Sequence, residues 1–318
     1  MISVNGLKKV FGKHVAVDGV SFSLAVGDIV GVIGPNGAGK STTMKMLTGF
    51  LPATSGTIEI SGKNIVKHRR DIQERVGYLP EAAPAYGDMT VYQFLVFIAR
   101  VRGITKKDRP TAIGELVEKI NLQQVLNKKI KTLSKGFVRL IGLAQAIIHD
   151  PDILILDEPT YGLDPNQKHQ VRKIIKALSK DKVIVISTHL LEDVDALCNR
   201  ALVITDGKLK FDGTPTSLKQ GSKSYNSVTL KLSYAADISG LEDIEGVGSI
   251  EIDQNTNQVT LFPEKDKAIV HLIGEYVFQR RLPVDEMTIS QGKLDEVFRS
   301  LTSAEAQPEV SELKEVTE

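Results

Sequence analysis

The sequence predicts an α/β protein with a mixed sheet core, followed by a small α+β domain. Two observations carry the first part: a glycine-rich loop between a buried strand and a helix, and a second buried strand ending in two carboxylates. A third, a change to short strand-like runs after about residue 225, carries the second part. The loop is Gly34-Pro35-Asn36-Gly37-Ala38-Gly39-Lys40-Ser41, which fits G-x-x-x-x-G-K-[ST]. Its glycines let the backbone curl so that successive N–H groups point inward at phosphate oxygens. Lys40 then reaches the β- and γ-phosphates, and the Ser41 hydroxyl suits Mg²⁺. The context agrees. Asp28 to Ile33 reads as the strand before the loop and Ser41 to Thr48 as the helix after it, whose N-terminus adds its positive dipole end to the anion site.

The other elements follow in order. Ile2 to Val4, Val20 to Leu24 and Thr57 to Ile60 alternate as antiparallel strands with one wet face do. From about Tyr92 to His149 the pattern is helical, over Val91 to Arg102, Pro110 to Ile120 and Gly136 to His149. Apolar runs at Ile153 to Leu156 and Val183 to Ile186 suit parallel strands covered on both faces. The polar stretch Lys219 to Ser224 reads as a linker. Beyond it, strands are expected at Val228 to Leu232, Ile250 to Ile252, Val259 to Leu261 and Met287 to Ile289, with helices over Lys267 to Arg280 and Leu294 to Leu301. The expected domains are 1–218 and 225–302. The acidic tail 303–318, with five glutamates against one lysine, is expected to be disordered.

Composition narrows the class. The net charge is +1, so no global field draws the 318-residue chain to nucleic acid or anionic lipid. The lone Cys198 cannot form an intrachain disulfide, which fits a reducing compartment. The N-terminus lacks an apolar signal core, and no apolar run approaches the ~20 residues that span a bilayer. The chain is therefore expected to be soluble, and any membrane spans must come from another polypeptide.

The chemistry concentrates at the carboxyl ends of the buried strands. Ile153-Leu154-Ile155-Leu156-Asp157-Glu158 delivers two carboxylates to the sheet edge where open α/β sheets bind ligands. Asp157 is suited to hold Mg²⁺, directly or through water, and Glu158 to polarise the attacking water. Ser134 is a good N-cap for a helix running on from Gly136, whose N-terminus is an anion site. His189 lies just past a strand, able to donate to a γ-phosphate. Asp164, in Gly162-Leu163-Asp164-Pro165, suits a helix cap.

These motifs, in this order, resemble the ATP-binding subunits of ABC transporters over the whole first domain. Gly77-Tyr78-Leu79-Pro80-Glu81 is similar to the family's Q-loop, with Glu81 in place of glutamine. Leu133-Ser134-Lys135-Gly136-Phe137 is similar to the signature sequence, with Lys135 and Phe137 in place of glycine and glutamine. Asp157-Glu158-Pro159-Thr160 and Tyr161-Gly162-Leu163-Asp164 resemble the second nucleotide motif and D-loop, and Ser187-Thr188-His189 the switch region. The resemblance implies a P-loop NTPase fold of the ABC nucleotide-binding type, with a mixed sheet core, an antiparallel β subdomain and a helical subdomain. It implies ATP and Mg²⁺ as ligands, with Gly34 to Thr42 around the phosphates and Ser41, Asp157 and Glu81 near the metal. Glu158 is the implied catalytic base, and His189 reads the γ-phosphate. Phe11 stands where the family stacks an aromatic on adenine, and a core phenylalanine reads nearly as well there. Ser134, Gly136 and Asp164 are implied to act across a head-to-tail pair of nucleotide domains, homodimer or paralogue dimer.

A stand-alone ATPase with a small C-terminal domain looks most like those of bacterial ABC-2-type exporters, including the drug-resistance and gliding-motility group. The implied partner is a transmembrane permease in a separate chain, docked near Glu81 to Tyr92, and the implied location is cytoplasmic, on the inner membrane face. The departure at Val138-Arg139-Leu140, usually more polar in the family, implies a changed meeting of the signature helix with the second subunit. A competing reading is a soluble ATPase of the same family acting on ribosomes or DNA. It conflicts with the single nucleotide domain, the absence of sustained heptads and the neutral charge, which speaks against nucleic acid. The C-terminal domain is expected either to sense a ligand or to brace a dimer.

Overall fold

A computed structural model of the chain describes residues 1–82, 86–253, 255–265 and 267–302. The acidic tail expected to be disordered lies outside the described residues. The chain divides into two compact units, Met1–Pro215 and a second beginning at Thr216.

The first unit runs β1 (Ile2–Phe11), β2 (His14–Leu24), β3 (Ile29–Ile33), α1 (Lys40–Leu47), β4 (Ser55–Ile60), β5 (Lys63–Asn64), α2 (Arg69–Glu74), β6 (Val76–Leu79), α3 (Val91–Val101), α4 (Arg109–Ile120), α5 (Lys135–Ile147), β7 (Ile153–Asp157), α6 (Pro165–Leu178), β8 (Val183–Ser187), α7 (Leu191–Leu197), β9 (Arg200–Thr205) and β10 (Lys208–Gly213). One sheet has the order β2-β1-β4-β5 and is antiparallel; the other has the order β10-β9-β3-β8-β7-β6. The second is parallel throughout except for its antiparallel edge pair β9–β10. Every residue of β3, β7 and β8 is buried, the condition of central parallel strands covered on both faces.

β1 is longer than the alternation at Ile2 to Val4 predicts. Its register slips between Val4 and Leu7, so the period of two breaks there although pairing with β2 continues to Phe11. The expected helical block is present as α3, α4 and α5. α3 opens with a reciprocal capping box between Thr90 and Gln93. Among the described residues no helix is long and apolar enough to cross a membrane. Cys198 is buried just after α7. A Cβ added to Gly31 of β3 would lie 3.0 Å from its Sγ, and burial pushes the thiol up to about 12.

The ring nitrogens of His149, between α5 and β7, are buried and face the Val76 backbone without a well-formed hydrogen bond. Burial first, then the Arg102 guanidinium, pushes its imidazole down to about 4, against 6.5 when free. The unfolded chain therefore takes up the proton first, so stability falls as pH drops through the interval from about 6.5 to about 4. His149→Gln should flatten that part of the stability curve relative to the native chain, while the two curves run parallel above pH 7. Denaturant midpoints measured every half pH unit test this.

α8 (Pro215–Lys219) leads into the second unit, with β11 (Tyr225–Leu232), β12 (Val247–Asp253), β13 (Gln258–Pro263), α9 (Val270–Arg280), β14 (Val284–Gln291) and α10 (Leu294–Thr302). Its antiparallel sheet has the order β12-β13-β11-β14. Val228, Leu230, Val259 and Leu261 of the sheet share one core with Ile269 and Ile273. α9 starts at Val270, later than the pattern from Lys267 predicts, and no side chain caps it. The stretch Lys219 to Ser224 is not an open linker. Ser222 and Ser224 are buried and both donate to the Glu296 carboxylate, Ser224 through its backbone N–H as well. Burial alone would raise the Glu296 carboxyl, but these hydrogen bonds hold it below its ordinary value. Local polarity misleads here because the satisfying partner lies more than 70 residues downstream.

Candidate active site

The loop from Gly34 joins the end of β3 to α1, so the first turn of a helix is aimed at whatever the loop encloses. Gly39 adopts φ 102°, and a Cβ there would meet the Ala16 carbonyl oxygen at 2.3 Å, so the position excludes side chains on two counts. Lys40 is buried. Its Nζ donates to the Gly34 and Pro35 carbonyls at 2.7 and 2.9 Å. Burial lowers its pKa, with Glu158, Asp157 and Glu81 acting in the opposite direction. The ammonium is thus held over its own loop by weak acceptors that phosphate oxygens can replace.

Phe11, Asn36, Gly37, Ala38, Gly39, Lys40, Ser41, Thr42 and Glu81 line one cleft of about 500 Å³, together with His14 and Ala16. That volume is in the range of small-molecule sites. Phe11 is 47% exposed at the cleft, which excludes its reading as a core residue.

Glu158 follows β7 in the left-handed region, φ 53°, uncommon for a non-glycine residue and a conformation that the surroundings must enforce. They do so from β8. Glu158 N donates to the Ser187 carbonyl at 2.8 Å, His189 N donates to Glu158 Oε1 at 3.0 Å, and His189 Nδ1 lies 2.7 Å from the same oxygen. Thr188 Oγ1 donates to Oε2 at 3.4 Å. Glu158 and His189 are therefore one unit, and the Tyr161 ring stands edge-on to the His189 ring at 5.5 Å.

Asp157, Glu158 and His189, and likewise Ser134, Gly136 and Asp164, are not among the residues lining this cleft. Ser134 caps α5, accepting from Phe137 N, and Asp164 caps α6 in a reciprocal box with Gln167. A Cβ on Gly136 would meet Gln167 Oε1 at 2.5 Å, so the openings of the two helices abut. A second cavity of about 290 Å³, lined by Glu81, Leu133, Lys135 and Tyr161 among others, lies beside them. Sequence reasoning passed over His14 and gave Thr188 and Arg139, each inside a quoted string, no role of their own at the site. His14 pairs with Phe11 across the β1–β2 turn, a link that hairpin spacing could have revealed.

A buried phosphate-loop lysine, a strained carboxylate beyond a central strand and a histidine bonded to it define a P-loop ATPase. Residues 17–161 match the ABC transporter family. The chain is 37% identical over 232 residues to the uncharacterized ABC transporter ATP-binding protein YxlF of Bacillus subtilis, covering 73% of this chain and 77% of that one. It is 37% identical over 227 residues to the bacitracin transport ATP-binding protein BcrA of Bacillus licheniformis (71% and 73% covered). It is 29% identical over 306 residues to the linearmycin resistance ATP-binding protein LnrL of Bacillus subtilis (95% and 98% covered). A solved ATP-binding subunit of an ABC transporter superposes with a TM-score of 0.64 at 26% identity, over 69% of this chain and 92% of that one. The chain belongs to the ATP-binding proteins of ABC transporters, and it binds and hydrolyses ATP.

Proposed function

We propose that this chain powers an exporter whose membrane spans belong to a separate permease, and that two nucleotide domains close head to tail on two ATP molecules. One observation carries the reading: Ser134 and Asp164 cap two helices whose openings abut at Gly136 and Gln167 and contribute nothing to the phosphate cleft, while Glu158, itself outside the cleft lining, still acts on the cleft's lysine and is bonded to His189. A site assembled from two copies accounts for both facts. A relative named for Nod factor export, 35% identical over 243 residues, supports export.

In this reading the phosphates enter over Asn36 to Thr42, Lys40 exchanges its carbonyl partners for phosphate oxygens, and Phe11 stacks on the adenine. Ser134 and Gly136 of the second copy close on the γ-phosphate, with Asp164 at the seam. Glu158 takes the proton of the attacking water, oriented by the hydrogen bonds from His189 and Thr188. His189 then turns to the γ-phosphate.

Mg²⁺ fits the donor set. Ser187 Oγ is buried with no hydrogen-bond partner, and Ser187 is the register neighbour of buried Asp157, so the two side chains share a face. Among the described residues no group of three or more His, Cys, Asp or Glu forms a complete metal cage. Ser41, Asp157 and Glu81 would hold Mg²⁺ together with nucleotide phosphates, the kind of donor set this ion commonly takes. When bound it offsets charge on the phosphate oxygens. Glu81→Gln should raise the half-saturating Mg²⁺ concentration two- to fivefold, the effect of roughly 0.5–1 kcal/mol from one partly solvated charge, and should tighten metal-free ATP binding. ATPase rates across a Mg²⁺ titration read the first, and fluorescent-ATP binding in EDTA the second.

Residues 1–218 form the nucleotide domain in this reading and 225–302 an accessory domain. The permease docks near Glu81 to Tyr92, of which 83–85 lie outside the described residues, and holds the chain at the inner membrane face. Affinity purification of the chain from detergent-solubilised membranes should recover a polytopic protein at one copy per ATPase. Recovery of ribosomal or DNA-bound proteins without one would overturn the transporter reading.

A further inference from the structure

Arg139, on α5, is 6% exposed. Its Nη1 donates to the Pro80 and Glu81 carbonyls at 2.8 and 2.7 Å. Its Nη2 donates to the Asp157 and Glu158 carbonyls. A single guanidinium thus serves four backbone acceptors at the ends of two adjacent parallel strands, β6 and β7. Those carbonyls lie at or beyond the last residues of β6 and β7, and buried carbonyls left bare are costly. Glu158 turns into the left-handed region, and among the described residues its carbonyl takes only Tyr161 N–H besides Arg139. No other side chain offers a planar array of five donors, and lysine offers three from one point. Burial works against the Arg139 charge, and Asp157, Glu158 and Glu81 sustain it.

We propose that Arg139 is a positioning residue for hydrolysis: it fastens the Glu81 turn and the Asp157–Glu158 strand end to the helix that opens at Ser134. The Glu81 side chain lines the phosphate cleft while its carbonyl is held by Arg139. Gly136 is one helical turn before Arg139 on the same helix. A rigid shift of α5 therefore moves the backbone that carries the catalytic base and the Glu81 side chain. The coupling between the two ATP sites rests on the head-to-tail reading above. The placement of Glu158 by Arg139 within one chain does not.

Arg139→Lys keeps the charge but loses the fork. It should lower kcat about 10- to 100-fold, the effect of a sub-ångström to ångström misplacement of the base. Single-chain ATP affinity, measured by fluorescent-nucleotide binding, should stay within twofold, and the Hill coefficient for ATP should fall toward 1. Unchanged kcat in a folded variant would overturn the proposal, as would a kcat loss matched by lost ATP affinity. Should the variant not fold, hydrogen exchange on the native chain decides. On adding ATPγS, peptides covering 76–82, 134–140 and 153–159 should gain protection together, and independent responses would overturn the proposal. Sedimentation of Glu158→Gln with ATP separates the two readings. If that variant stays monomeric, the head-to-tail reading fails. If it dimerises and Arg139→Lys hydrolyses normally, only the Arg139 proposal fails.

Discussion

Glu158→Gln should bind ATP at near-native affinity, hydrolyse it about 1,000-fold more slowly, and accumulate as an ATP-held dimer, since a general base contributes roughly 10²–10⁴-fold. The amide keeps the shape of the side chain. Its oxygen can still accept from His189 N, which now reaches Glu158 Oε1 at 3.0 Å, so the geometry survives while the proton acceptor is lost. Removing the carboxylate also takes one negative charge from beside Lys40, where Glu158 is the foremost group sustaining the ammonium, so phosphate binding is not weakened by repulsion. Single-turnover hydrolysis and sedimentation with ATP measure the two halves. Native turnover in this variant would remove Glu158 from the role of base.

Gly34→Ala should cost about 3 kcal/mol of stability and abolish ATP binding, the upper part of the range for overpacking. The added Cβ would sit 2.1 Å from the Ile204 carbonyl oxygen of β9 and 3.1 Å from the Ala38 Cβ, so either a central strand or the phosphate loop must move. In a unit of this size 3 kcal/mol corresponds to a melting shift of roughly 6–12 °C. Gly37→Ala is the internal comparison. Nothing lies within 4 Å of its added Cβ, and only its φ of 82° opposes the change, which costs roughly 1–2 kcal/mol. Equal losses from the two substitutions would show that space around Gly34 is not what selects glycine there.

What could be read from the sequence was local. The phosphate loop, the carboxylate pair after β7 and Ser187-Thr188-His189 are contiguous strings whose geometry few residues fix, and the fold and family they implied are those found. The Asp164 and Ser134 caps are local too. Arg139 was visible only as a departure from a pattern, because its four partners are carbonyls, which every residue possesses, lying 18 to 59 positions away. The burial of Ser222 and Ser224 depends on Glu296 in the same way. β9 and β10 were absent from the expected elements, although Ala201 to Ile204 is as apolar as β7 and carries the same strand signal. β10 alternates too briefly, between half-buried Leu209 and Phe211, to be told from a turn.

The thiol of Cys198 lies behind β3 with its ionisation raised to about 12, so in the folded chain at neutral pH it is neither reachable nor nucleophilic. A maleimide dye should react only with molecules that have opened, and since this is the only cysteine, each dye incorporated marks one opening event. The native chain is its own clock for unfolding, and a reporter cysteine introduced at an exposed position can be labelled without first removing the natural one.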